Sequence, residues 1–243
     1  MIYWVSLPQA NLWQVFQTSN WLSGKLIVLI LLTASVFAWT VMIAKYRELR
    51  AAQISSLRFL HAFRREKHPL TLFLRKQRFD DSPLFRVYEA GCAALSAEVL
   101  GLSNSEAVDL VSPAERLGRI HLTPLQIEVV RRVTERTVAD QALLLEDRMG
   151  FLMTAVSASP LLGLLGTVWG VMDAFSAMAV KGMANLSAVA PGISSALLTT
   201  VVGLLVAIPS SIGYNMLAGR IRQLAVQMDN FSQEFVADLQ RSF

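Results

Sequence analysis

Charge is scarce and cysteine nearly absent in this 243-residue chain: 16% of residues are charged and a single cysteine, Cys92, is present. Soluble domains carry about a quarter charged residues, so the shortage excludes an ordinary soluble enzyme of this length. One cysteine excludes an intrachain disulfide framework and any multi-cysteine metal site. His61, His68 and His121 lack metal-ligand spacing, so no metal is expected. There is no nucleophile–base pair and no pair of carboxylates placed for acid–base work. The run from Gly163 to Thr167 sits inside an apolar helix, not after a strand, so it is not a phosphate loop. Nothing in the chain argues for an enzyme or a cofactor. The basic surplus, net charge +4, comes without an aromatic-interleaved basic motif or a helix-turn-helix pattern, so nucleic acid is not the expected partner.

What the chain has in abundance is apolar length. Hydrophobic residues make up 53% of it and the mean hydropathy is +0.45. They collect in three runs. Leu26 to Ala44 holds no charge; Phe151 to Val180 holds one, Asp173, near its far end; Gly192 to Leu217 holds none. A bilayer core needs about 20 apolar residues in a helix, so each run predicts a transmembrane helix. The first is not a cleaved signal peptide. The 24 residues before Lys25 contain no Lys or Arg, and Lys45, Arg47 and Arg50 follow the run directly, which is a stop-transfer pattern. Gly182, Asn185, Ser187 and Pro191 predict a tight connection between the second and third spans.

Of the 22 basic residues, 17 lie in residues 45–148. Basic residues near helix ends mark the cytoplasmic side. The predicted map is therefore an outer N-terminal segment 1–25, membrane helices 26–44, 149–180 and 192–217, a helical cytoplasmic region 45–148, an outer turn 181–191 and a cytoplasmic amphipathic helix 218–243. Trp4, Trp13 and Trp21 fit an outer interfacial segment. The fold class is an all-α membrane protein whose second and third membrane helices extend as long helices into a helical cytoplasmic region.

Within residues 45–148, Pro69, Pro83, Pro113 and Pro124 cut helical sequence. Thr123, Pro124 and Gln126 predict a capping box with proline in the first helical position. No Pro or Gly then interrupts before Gly150, so one rod from Pro124 to Val180 is expected, about 85 Å long and bent at Pro160. In the tail, Leu217, Ile221, Leu224, Met228, Phe231, Phe235 and Leu239 recur at three- and four-residue steps. Such a stripe seeks a partner helix, within the chain or in another subunit. Cys92, on an apolar helical run, is expected as a small buried residue.

On the second membrane helix, Ser159, Gly163, Thr167, Gly170, Ala174 and Ala177 share a face, with Gly166 beside them. On the third, Gly192, Ala196, Thr200, Gly203, Ala207, Ser210 and Tyr214 do the same. Small residues at this spacing let helices approach closely in lipid, and close packing competes with a pore lining as their explanation. Thr167, Ser195, Thr199 and Thr200 put hydroxyls at membrane depth, where lipid exposure is unfavourable, and are the candidate proton-pathway or pore-lining residues, although helical Ser and Thr can bond a carbonyl one turn back. No Asp, Glu, His, Lys or Arg lies in the middle of any span. A proton relay needs a titratable group, so a proton crossing here would use another protein's carboxylate. Asp173 is read as an outer-end polar or capping residue.

Residues 159–175 (SPLLGLLGTVWGVMDAF) resemble the second-helix signature of the TolQ/ExbB/MotA proton-channel family. Residues 190–209 (APGISSALLTTVVGLLVAIP), with Tyr214 and Asn215, resemble its third-helix signature. Ala38 and Trp39, and Asp229–Phe231 with Glu234 and Phe235, resemble the TolQ branch. The resemblance implies a homopentameric ring in the bacterial inner membrane, enclosing the single membrane helices of a TolR- or ExbD-like dimer whose helix carries an Asp. Proton flow would drive a TolA- or TonB-like protein reaching the outer membrane, as in the Tol-Pal system of envelope integrity and cell division. It maps the family's two pore threonines onto Thr167 and Thr200; Pro160 and Pro209, inside the apolar runs, are read as structural. The family's third helix usually has Glu where this chain has Ser195. An ExbB-like role in outer-membrane uptake and a passive scaffold of the same fold are the alternatives. A transporter would need broken helices or an intramembrane charge, neither of which is evident.

Overall fold

The computed structural model describes residues 22–66, 68–102, 122–181 and 186–242. The expected all-α architecture forms, with α1 Leu22–Arg65, α2 Thr71–Leu74, α3 Pro83–Leu102, α4 Pro124–Glu146, α5 Met149–Lys181 and α6 Leu186–Ser242. Among the described residues, α1, α5 and α6 are long and apolar enough to cross a membrane. Trp4, Trp13, Trp21 and His121, and Gly182 and Asn185 of the expected turn, lie outside the described residues.

Two helix limits differ from expectation. The rod from Pro124 to Val180 is interrupted: Asp147 turns out of the helix at φ −51° and ψ 139°, Arg148 takes a left-handed φ of 65°, and α5 starts afresh at Met149. Neither residue is a Gly or Pro, so no local signal announced the break. It falls where the chain passes from one compact unit to another. Pro191 belongs not to a loop but to α6, which starts at Leu186. So close to a helix start, its missing N–H removes a single ladder bond. Helix α5 runs on through Pro160 and α6 through Pro209.

The two units are residues 1–43 with 148–215, and residues 44–147 with 216–243. In the first, Ile27, Leu31 and Val206 form a small core joined by Leu162 and Val202. Phe37 meets Phe151 edge to face at 5.0 Å, and the sulfur of Met42 fills the space beside Gly213. Its exposed side chains are mostly apolar, including Leu29, Val36, Val168, Leu205 and Ile212. On α1 the outward threonine hydroxyls are satisfied within their own helix: Thr33 donates to the Ile30 carbonyl at 2.8 Å and Thr40 to that of Val36 at 2.8 Å. This is a surface made for lipid, where an unpaired polar group is costly.

The second unit has an aromatic core. Phe59, Phe63, Phe85 and Tyr88 pack with Phe231 and Phe235 at ring distances of 5.2 to 6.5 Å. The tail stripe from Leu217 to Leu239 is buried throughout, so its partner helices lie in the same chain. The predicted capping box is present: Gln126 N–H donates to Thr123 Oγ1 at 3.3 Å, and Thr123 N–H to Gln126 Oε1 at 2.9 Å. Polar groups in the interior are paired. Tyr88 donates to the Pro69 carbonyl at 2.8 Å and accepts from Phe73 N–H at 3.0 Å, while Ser232 donates to Thr134 at 2.8 Å. At the surface, Arg64 grips Glu234 through two 2.9 Å hydrogen bonds. Cys92 is buried, as expected.

Candidate functional site

The seam between α5 and α6 is set by residues without side chains. A Cβ placed on Gly203 would lie 2.6 Å from the Ser159 carbonyl and 3.1 Å from Gly163 Cα; one on Gly163 would lie 2.9 Å from the Thr199 carbonyl. One on Gly166 would meet Thr199 Oγ1 at 2.5 Å. The two backbones are therefore in near contact, the approach that small residues permit in lipid. Gly170, Ala196 and Ala207 are buried along the same helices, and Gly192 faces Ala174 near the far end of the seam.

Backbone approach brings three hydroxyls together. Thr167 Oγ1 and Thr200 Oγ1 share a hydrogen bond in which either can be the donor. Thr167 also reaches the Ala196 carbonyl at 3.1 Å and the Gly163 carbonyl at 3.3 Å. Thr200 reaches the Gly163 carbonyl at 3.1 Å. Thr199 bridges the same two carbonyls, at 2.7 Å to Ala196 and 3.0 Å to Gly163. Each hydroxyl carries one proton to donate. When Thr167 donates to Thr200, Thr200 donates to Gly163; when Thr200 donates to Thr167, Thr167 turns to a carbonyl. The pair can thus reverse its direction without leaving a hydroxyl proton unbonded. Thr199 is fully buried behind the pair, whereas Thr167 and Thr200 are half-buried and reach the surface of the unit.

The other residues singled out in the sequence stand apart from this cluster. Ser195 is buried and donates to the Gly192 carbonyl of its own helix at 2.9 Å. Asp173 is half-buried in α5 and makes no hydrogen bond or ion pair with any described residue. Pro160 and Pro209 are half-buried. What sequence reasoning missed is the part played by the carbonyls of Gly163 and Ala196. Both residues were read as packing positions, and the lack of a side chain at Gly163 is what opens its carbonyl to the opposite helix.

These helices carry the family signal as well as the site. The family model described as the MotA/TolQ/ExbB proton channel family matches residues 113–230. A Tol-Pal system protein TolQ from Haemophilus influenzae is 32% identical over 221 residues, covering 89% of this chain and 89% of that protein. The chain belongs to the MotA/TolQ/ExbB proton channel family. A second TolQ, from Pseudomonas aeruginosa, is 30% identical over 237 residues, 97% of this chain and 95% of the relative. A biopolymer transport protein ExbB from Pseudomonas putida is 29% identical over 91% of this chain and 61% of its own length. As a member of the MotA/TolQ/ExbB family with three long apolar helices, the chain is a multi-pass membrane protein.

Proposed function

We propose that the chain is the ring-forming subunit of an inner-membrane motor that couples proton flow to work on a protein reaching the outer membrane, in a system of the Tol-Pal type. The observation that carries this is the Thr167–Thr200 pair: a reversible hydroxyl contact, half open to the outside of the chain, on helices that lack a mid-span charge. Hydroxyls can pass a proton along but cannot store one at neutral pH. The titrating group then comes from a partner, a TolR- or ExbD-like single-helix protein with an intramembrane Asp, seated inside a homopentamer. A half-buried polar pair on an apolar surface is unfavourable against lipid, and a polar partner helix would cover it. The driven protein is TolA- or TonB-like. Lys45, Arg47, Arg50 and Arg148 set the sidedness, with the N-terminus in the periplasm and the C-terminus in the cytoplasm.

The test is proton influx and envelope function in cells producing the chain with its partner. Thr167→Val and Thr200→Val keep side-chain shape and remove the hydroxyl. Both variants are expected to assemble with the partner in a pull-down yet to lose proton influx and force transmission. Full activity in both variants sinks the assignment.

A further inference from the structure

The second unit carries a basic face that nothing in its own fold uses. Arg47, Arg50, Ile54, Arg58, His61 and Arg65 follow one another on α1 at steps of three or four residues, so they share one side of the helix. All six are exposed, and that side lies opposite the one formed by Leu49, Ala52, Ser56, Phe59 and Phe63, which is buried in the core. None of the four arginines has a carboxylate within ion-pair distance among the described residues. Arg64, one position off the stripe, takes Glu234 instead. The same face carries apolar side chains that are open to water, Ile54 at 43% and Leu57 at 45% exposure.

The neighbouring side of α1, through Glu48, Ala51 and Ala52, walls a groove of complementary character. It is open, holds about 330 Å³, and is lined by Glu48, Asp80, Asp81, Ser82, Gln141 and Leu144. Asp80 and Asp81 are exposed and have no cationic partner among the described residues. Arg86, at the rim, is turned to Glu89 at 3.4 Å. Leu144, 62% exposed, and Leu143, 67% exposed, provide an apolar lip. Basic and apolar groups on one face therefore match acidic and apolar groups on another, the combination found in protein interfaces with an apolar centre and a charged surround.

We propose that the Arg58–Arg65 face of α1 docks into the Asp80–Asp81 groove of a second copy of this chain. Setting one basic stripe against the other would bring the arginines of two copies together, and like charges in contact are unfavourable. A contact between two different faces is either returned reciprocally about a two-fold axis or passed on from copy to copy, which gives a ring where the rotation closes. A lipid surface does not account for the outer part of the stripe. The apolar run of α1 ends at Ala44, and Arg58 lies about 20 Å and Arg65 about 30 Å further along the helix at 1.5 Å per residue. Lipid headgroup charge is screened over about 8 Å at physiological salt, so it reaches Arg47 and Arg50 but not Arg58 or Arg65. The inference rests on the reading of the chain as an oligomeric subunit.

The test uses the full chain in its native membrane. Two tagged copies are co-produced, one carrying Leu57→Cys and the other Leu144→Cys, and treated with a bifunctional thiol reagent; Cys92 is buried. A mixed product bearing both tags is expected. Its yield should fall about tenfold with Arg58→Glu and Arg65→Glu in the first copy. Asp80→Arg with Asp81→Arg in the second copy should then restore it. An oligomer that forms without the mixed product, or whose mixed product ignores the charge reversals, overturns this contact alone. A wild-type chain that is monomeric in mild detergent overturns the subunit reading with it.

Discussion

Gly203 Cα faces the α5 backbone so closely that a Cβ added there would stand 2.6 Å from the Ser159 carbonyl oxygen and 3.1 Å from Gly163 Cα. Both obstacles are backbone, and neither can rotate away. Gly203→Ala must therefore push α5 and α6 apart, at a cost of about 1–3 kcal/mol for an overpacked contact. The hydroxyl cluster lies one turn along the seam and should loosen with it. The expected result is a lower melting temperature of the purified protein together with reduced proton influx. Gly219→Ala is the control: a Cβ there meets nothing within 4 Å, and alanine favours a helix interior by up to about 1 kcal/mol.

The hydroxyls at Thr167 and Thr200 separate from their methyl groups by substitution to serine. Thr167→Ser and Thr200→Ser keep the reversible pair and lose one methyl each, worth about 0.8 kcal/mol at full burial and less for side chains that are half open. Influx within about fourfold of wild type is expected, against its loss in the valine variants. Serine variants as inactive as valine ones would place the role in packing rather than in proton transfer. The measurement is acidification of cells or vesicles under an imposed proton gradient.

Ser195 lies apart from the hydroxyl cluster, and its hydroxyl is occupied by the Gly192 carbonyl at 2.9 Å. A buried hydroxyl that bonds its own helix can be removed at little cost, since the carbonyl keeps its helical N–H. Ser195→Ala should leave influx within about twofold of wild type, the scale of a few tenths of a kcal/mol. A large loss would return Ser195 to the proton path.

Which of these features could be read from the chain depends on the range of the interaction. The three spans, the Thr123 capping box and the buried tail stripe are local in origin: apolar length, a cap three residues from its partner, and a period of three to four residues. They form as read. The break at Asp147 and Arg148 carries no Gly or Pro; it falls at one of three boundaries between the units, and α1 and α6 cross the other two unbroken. Pro191 looked like a loop residue because proline near a helix start and proline in a turn have the same local signature. In the site, Gly163 and Thr200 were legible as members of small-residue faces. That the Gly163 carbonyl serves two hydroxyls of α6 was not, since it depends on how the two helices meet.

The last prediction concerns the core of the second unit. Burial pushes the Cys92 thiol up to about 12, with the nearby Glu89 carboxylate adding to the effect. Burial also raises Tyr88 above its ordinary value. Both groups are neutral when protonated, so the folded chain holds these protons at pH values where the unfolded chain releases them. The unfolded state then binds fewer protons, and stability falls as pH rises. For Cys92 the stability is intact below about pH 9, the thiol's ordinary value, and is lost progressively towards about 12. The slope approaches about 1.4 kcal/mol per pH unit per group. Melting temperature should therefore drop between pH 9 and 11, and Cys92→Ala, which removes one of the two groups, should make that drop shallower without abolishing it. The same burial makes a direct chemical reading available: the thiolate is the reactive form, so at pH 8 a maleimide should modify Cys92 only after denaturation. Labelling of the native protein at the rate of a free thiol would show that the core opens around α3.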